Sequence, residues 1–151
     1  MIYLLDTDTL IFMIRGLKTS SRHRRKKSLR ESAQKLAERC QQTQKGGHTV
    51  GLSAVTVSEL EFGAQNSGQY EDEIRAVHKV LTPFDLFDYD AVHCAYHYGR
   101  VRHQLEAEGQ PTGSMDLLIA AHALSLEATL ITNNGDHFSR VDGLPIENWA
   151  K

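Results

Sequence analysis

Three acidic residues, far apart along the chain, stand where carboxylates are placed to do chemistry. Asp6 closes the apolar run Ile2-Tyr3-Leu4-Leu5 and is followed by Thr7 and Asp8. Glu59 lies within Val55-Thr56-Val57-Ser58-Glu59-Leu60-Glu61-Phe62-Gly63-Ala64, and Asp116 follows Gly113-Ser114-Met115 at the head of an apolar helical stretch. Each has an ordinary alternative: Asp6 and Asp116 both suit helix N-termini, where free N–H groups and the helix dipole favour an anion. Glu59 and Glu61 sit roughly 200° apart on a helix and cannot serve one site. Glu59 shares its face with Val55, Phe62 and Gly63, where a carboxylate is costly unless paired; this favours Glu59 and leaves Glu61 to solvent.

If the three acids converge, they cannot remain bare. Two unit charges about 4 Å apart repel by roughly 4 kcal/mol at an effective dielectric of about 20, so such a cluster is protonated or neutralised by a cation. An all-oxygen ligand set suits Mg²⁺ or Mn²⁺ and not zinc. The chemistry that follows is activation of a coordinated water and stabilisation of a phosphoryl oxygen, which is metal-assisted phosphodiester hydrolysis.

The elements that must position these residues alternate between strands and helices. Ile2 to Leu5 and Thr49 to Leu52 read as buried strands, with a shorter one over Phe84 to Phe87, another over Ala128 to Thr132, and Pro145 to Trp149 closing the chain. Thr7 to Arg15 reads as a helix ended by Gly16. Leu29, Ala33, Leu36, Ala37 and Cys40 form one apolar helical stripe that stops near Gly46 and Gly47. Ser53 is placed to cap a helix over Val55 to Ala64, and Tyr70 to Leu81 ends ahead of Pro83. Asp90 caps a helix carrying Cys94, Tyr98, Val101 and Leu105 that stops at Gly109, and Ser114 caps the helix of Leu117, Leu118, Ala121 and Leu124. His122 interrupts that apolar stretch. This alternation predicts an α/β fold with a mainly parallel sheet covered on both faces, where ligands collect at the carboxyl ends of the strands.

Composition narrows the class. The chain has 151 residues, 40% hydrophobic and 24% charged, with net charge -2, the profile of one globular domain that buries roughly 70% of its extended surface without needing a disulfide or structural metal. Two cysteines, Cys40 and Cys94, argue against a secreted disulfide scaffold. There is no membrane-length apolar run, and the apolar start is stopped by Asp6 without a basic lead or cleavage site, so a cytoplasmic protein is expected. The charge is uneven: Arg22, Arg24, Arg25, Lys26, Lys27 and Arg30 crowd around His23, a cluster able to hold an RNA backbone or to stand as a solvated helix start.

Several blocks carry a family resemblance. Leu4-Leu5-Asp6-Thr7-Asp8-Thr9-Leu10-Ile11, Ser58 to Ala64, Met115-Asp116-Leu117-Leu118-Ile119-Ala120-Ala121-His122-Ala123-Leu124, Leu130-Ile131-Thr132-Asn133-Asn134 and Ile146-Glu147-Asn148-Trp149 together resemble, in order and from end to end, the PIN-domain ribonuclease toxins of the VapC type. The resemblance implies a three-layer α/β/α fold, a Mg²⁺-dependent endoribonuclease acting on structured cellular RNA, a homodimer, and a VapB-type antitoxin whose tail enters the site. Asp6, Glu59 and Asp116 match the family's acids, as catalytic residues and metal ligands. Asp8 stands where the family usually has Asn. The family's fourth acid falls on Asn134, which brings a carbonyl but no charge; Asp136, two residues on, is a substitute ligand. Thr7, Asp8, Thr132, Asn133 and Asn134 are expected in supporting roles. The stretch from Arg15 to Gly47 is longer than the family leads one to expect, giving a single domain over 1–151 with a basic helical insertion at about 18–46.

Other signals compete. Asp6-Thr7-Asp8 after a strand also suits a haloacid-dehalogenase-like phosphatase with Asp6 as nucleophile; Leu10 and Arg140 break that family's pattern. The uncharged Asn134 and the basic stretch suit a non-catalytic RNA- or partner-binding module. His93 and His97 have the spacing of a zinc pair, with His103 further on, but Cys94 replaces the Glu that a metalloprotease helix needs. Ser114 lacks the Gly-x-Ser-x-Gly setting of a serine hydrolase. Trp149 reads as a core plug that ties down the C-terminus.

Overall fold

The computed structural model of the chain describes residues 1–18 and 24–150, with side chains for 1–18 and 27–150. The elements are β1 (Ile2–Leu5), α1 (Thr7–Lys18), α2 (Arg24–Lys45), β2 (Thr49–Ser53), α3 (Ala54–Asn66), α4 (Tyr70–Leu81), β3 (Asp85–Phe87), α5 (His93–Ala107), α6 (Ser114–Ser125), β4 (Thr129–Ile131), α7 (Gly135–Phe138) and β5 (Ile146–Glu147). The five strands form one sheet in the order β3-β2-β1-β4-β5, and every pairing is parallel.

Period-two alternation divides the strand side chains between two cores. Leu5, Val50, Leu52 and Ile131 pack with Leu10, Met13, Leu36, Leu60 and Val77 from α1, α2, α3 and α4. Leu4 and Leu130 pack on the other face with Val101, Leu105, Leu117, Ala120 and Phe138 from α5, α6 and α7. This is the expected three-layer α/β/α arrangement. Trp149 is buried against the first core and its ring meets Tyr3. No described helix is long and apolar enough to cross a membrane.

The strand order has a consequence for the site. The chain winds outward from β1 through β2 to β3, then returns to the other side of β1 for β4 and β5. Connections therefore leave β1 and β4 in opposite directions, which opens a crevice at their carboxyl ends. Asp6 stands at the end of β1 and Thr132 at the end of β4, joined through the Asp6 N–H to the Ile131 carbonyl at 3.0 Å.

Two expected boundaries are different. Gly16 does not end α1, which runs on to Lys18. A Cβ at Gly16 would lie 2.3 Å from the Ala33 Cβ and 3.0 Å from the Leu29 carbonyl oxygen, so this glycine lets α1 and α2 approach closely. Ser114 is the first residue of α6 and makes no capping bond; Gly113 precedes it as the cap position. By contrast Gly47, at φ 91°, terminates α2 as expected: the His48 N–H returns to the Thr43 carbonyl and the Gly47 N–H to that of Gln44. α6 ends the same way with Glu127 in the left-handed region at φ 53°.

Candidate active site

Asp6 takes the capping role expected of it, from a buried position. Its Oδ1 accepts from the Thr9 N–H at 2.8 Å, capping α1, yet the residue is only 3% exposed. Burial raises the carboxyl pKa above its usual range, and the nearby Asp8 charge adds to that, while Thr132 and Thr9 pull the other way. Such a group is ionised at a cost until a cation pairs with it.

Glu59 reaches this point from α3. The Thr7 hydroxyl donates to its Oε1 at 2.7 Å and lies 3.1 Å from the Thr56 hydroxyl. Of the expected apolar neighbours Phe62 is 69% exposed, whereas Gly63 lines a cavity with Glu59 together with Ile11, Ile14 and Leu60; the Thr7 hydroxyl of α1 orients the carboxylate. Glu61, expected in solvent, is not simply solvated. It accepts from the Tyr70 hydroxyl at the start of α4.

Asp116 sits half-buried in the first turn of α6, and its Oδ2 lies 3.2 Å from His137 Nδ1 on α7. Asn134, which precedes α7, donates through Nδ2 to Asp8 Oδ2. Its own N–H is held by the Thr132 hydroxyl at 2.9 Å. The acids are thus strung along one rim: Glu59 to Thr7, Asp6 beside Asp8, Asp8 to Asn134, and His137 to Asp116. Among the described residues no three His, Cys, Asp or Glu side chains are grouped closely enough to hold a metal ion as they stand.

Two open cavities flank His137 and share it with the exposed Asp136. One, of about 500 Å³, is lined by Thr132, Asn133, Asn134 and Asn148 among others. The second, of about 420 Å³, is lined by Asp116, Thr112 and Arg140. Neither His137 nor Arg140 stood out in the sequence as a site residue, because they lie in and just after a four-residue helix that carries no periodic signal of its own. Of the basic cluster, Arg22 lies outside the described residues, and Arg24, Arg25 and Lys26 lie outside the described side chains. Lys27 is exposed and Arg30 half-buried near the start of α2. His93 contacts Asp90 and His97 contacts Arg100.

An open parallel sheet with an acid-lined rim at its switch point defines a class, and comparison with known proteins identifies it. Residues 3–144 match the PIN domain family. Ribonuclease VapC2 of Rickettsia felis is 32% identical over 151 residues, spanning all of both chains. Ribonuclease VapC1 of Haemophilus influenzae is 35% identical over 151 residues, again across all of both. The solved structure of VapBC-1 from nontypeable Haemophilus influenzae superposes with a TM-score of 0.79 at 33% identity over all of both chains. The chain belongs to the PIN-domain family, in its VapC branch. That membership answers the choice left open by Asp6-Thr7-Asp8, in favour of the nuclease family.

Proposed function

We propose that the chain is a metal-dependent endoribonuclease, the toxin of a type II toxin-antitoxin pair, hydrolysing phosphodiester bonds in cellular RNA. The observation that carries this reading is the buried Asp6 carboxyl at the switch point, beside the Thr7 hydroxyl that orients Glu59, in a chain whose full-length relatives are named ribonucleases. The donors present fit Mg²⁺ or Mn²⁺: they are oxygens only, and a paired cation offsets the cost of keeping the buried carboxyl ionised. Asp6, Asp116 and Glu59 are the residues assigned to hold it. When bound, it supplies Lewis-acid stabilisation of a phosphoryl oxygen.

The other residues prepare that site. Thr7 and His137 keep Glu59 and Asp116 oriented, and Thr132 pins Asn134. Asn134 steers the Asp8 carboxylate, so the charge absent at position 134 is supplied by Asp8 across their contact. Both acids are exposed; the Asn134 contact favours Asp8 over Asp136 as the supporting acid. Arg140 and Lys27 offer exposed cations to a polyanion that the acidic rim would otherwise repel. The occurrence of similar chains in VapBC structures supports a VapB-type antitoxin as partner. The exposed Leu86, Val92, Tyr96 and Met115 support a homodimer, and the setting proposed is the cytoplasm.

The test is RNA cleavage by purified protein. Cutting is expected with Mg²⁺ or Mn²⁺, is stopped by EDTA, and is lost in Asp6→Asn and Asp116→Asn with the fold retained. An Asp116→Asn protein that cuts as fast as wild type overturns the assignment, and binding without cleavage across divalent ions turns the reading to a non-catalytic RNA-binding module.

A further inference from the structure

The two helices that carry Glu59 and Asp116 are joined by one buried polar contact that the reaction itself does not use. His122 of α6 is 1% exposed and Ser53 is fully buried. His122 Nδ1 lies 2.6 Å from the Ser53 hydroxyl. Ser53 ends β2 and caps α3, its Oγ accepting from the Val55 N–H at 3.0 Å. That hydroxyl accepts from α3 with one of its two lone pairs, and Nδ1 of His122 is the acceptor in reach of its proton, which assigns the ring a bare Nδ1 and a hydrogen on Nε2.

The ring is fixed on its remaining sides. Phe87 and Tyr89 meet it edge-on, with centroids at 6.5 and 5.6 Å. Nε2 is buried without a well-formed hydrogen bond among the described residues, and the Asp88 backbone faces the ring as an acceptor. An apolar side chain here would leave the buried Ser53 hydroxyl proton without an acceptor, so the imidazole and the serine are kept as a pair. Beyond it, the Ser125 hydroxyl bonds the His122 carbonyl at 2.7 Å and approaches Cys94 Sγ of α5 at 3.2 Å.

Spacing gives the contact its use. Glu59 is six residues from Ser53, and Asp116 six residues from His122, so each acid stands roughly 9 Å along a helix from the shared bond. Helices are stiff over that length, and a shift at the bond is carried to both carboxylates.

We propose that His122 is a positioning residue that, through its bond to Ser53, sets the placement of Glu59 relative to Asp116 for the ribonuclease reaction. This rests on the ribonuclease reading of the site above.

The test compares His122→Phe, which keeps a ring and removes the acceptor, His122→Asn, which restores an acceptor, and Ser53→Ala. Readouts are thermal unfolding, kcat and KM on RNA, and Mn²⁺ affinity of the metal-free protein by calorimetry. A displacement of about 1 Å at a reacting group can cost on the order of a hundredfold. The folded His122→Phe variant is expected to lose about tenfold or more in kcat with KM little changed, and to bind Mn²⁺ more weakly. His122→Asn should recover most of both losses, and Ser53→Ala should reproduce them, carrying the test if His122→Phe does not fold. Wild-type kcat and Mn²⁺ affinity in a folded His122→Phe or Ser53→Ala protein, or a His122→Asn as impaired as His122→Phe, overturns the proposal. A wild type that binds Mn²⁺ without cutting RNA removes the ribonuclease reading while the affinity series still decides this one; a wild type that does neither overturns both.

Discussion

Replacing Asp6 by Asn should separate stability from chemistry. The carboxyl is buried, and its pKa is raised chiefly by that burial. The unfolded chain releases the proton near the ordinary value of 3.8, the folded chain at higher pH. Between the two the folded state holds more protons, so stability falls as pH rises through that window, and above it the penalty is present in full. Asparagine has the same shape and no charge, and its Oδ1 can still accept the Thr9 N–H that begins α1. In metal-free protein near pH 7, Asp6→Asn is therefore expected to be more stable than wild type by about 1 kcal/mol. For a chain of this size that is roughly 2–4 °C in Tm. The gap should close as the pH approaches the ordinary carboxylate range. Urea unfolding followed by circular dichroism in EDTA, over a series of pH values, measures it. Added Mn²⁺ should then reverse the order, because ligation stabilises only a protein that binds the ion. A variant less stable than wild type near pH 7, or a gap that does not vary with pH, refutes the reasoning.

Three further outcomes follow from particular contacts. Asp8→Asn should weaken Mn²⁺ binding by calorimetry, and adding Asn134→Asp should restore it, since the charge returns to the same contact; no recovery would show that Asp8 does not supply that charge. Gly16→Ala puts a methyl against Ala33 and the Leu29 carbonyl and should cost about 1–3 kcal/mol in denaturant unfolding; a neutral result would mean that α1 and α2 are not so closely packed. Glu127→Gly relieves a left-handed conformation and should gain roughly 1 kcal/mol, read as a higher Tm, with no gain denying the strain.

The division between what was legible in the chain and what was not follows the range of the interactions. Strand and helix identities were legible because apolar spacing is local: Ile2–Leu5, Thr49–Ser53 and Tyr70–Leu81 follow from residues within a few positions of one another. The Ser53 cap and the Gly47 stop were legible for the same reason. Gly16 was misread because a glycine that ends a helix and one that admits a neighbouring helix look alike until Ala33, far along the chain, is brought against it. The local face separates Glu59 from Glu61, but the contact of Glu59 with Thr7, 52 residues away, has no local signal. The acids Asp6, Glu59 and Asp116 were named from their blocks, whereas the Thr7–Glu59 contact depends on β2 lying beside β1, the Asp8–Asn134 contact on β4 lying beside β1, and the His137–Asp116 contact on α7 folding back against α6. The amino-acid order alone determined which segments are strands and helices and which carboxylates are candidates, because those signals are read over one or two turns. Only the tertiary structure decided that β1 and β4 share a switch point and that His122 meets Ser53, because hydrogen bonds and packing between segments remote in the chain have no local signature.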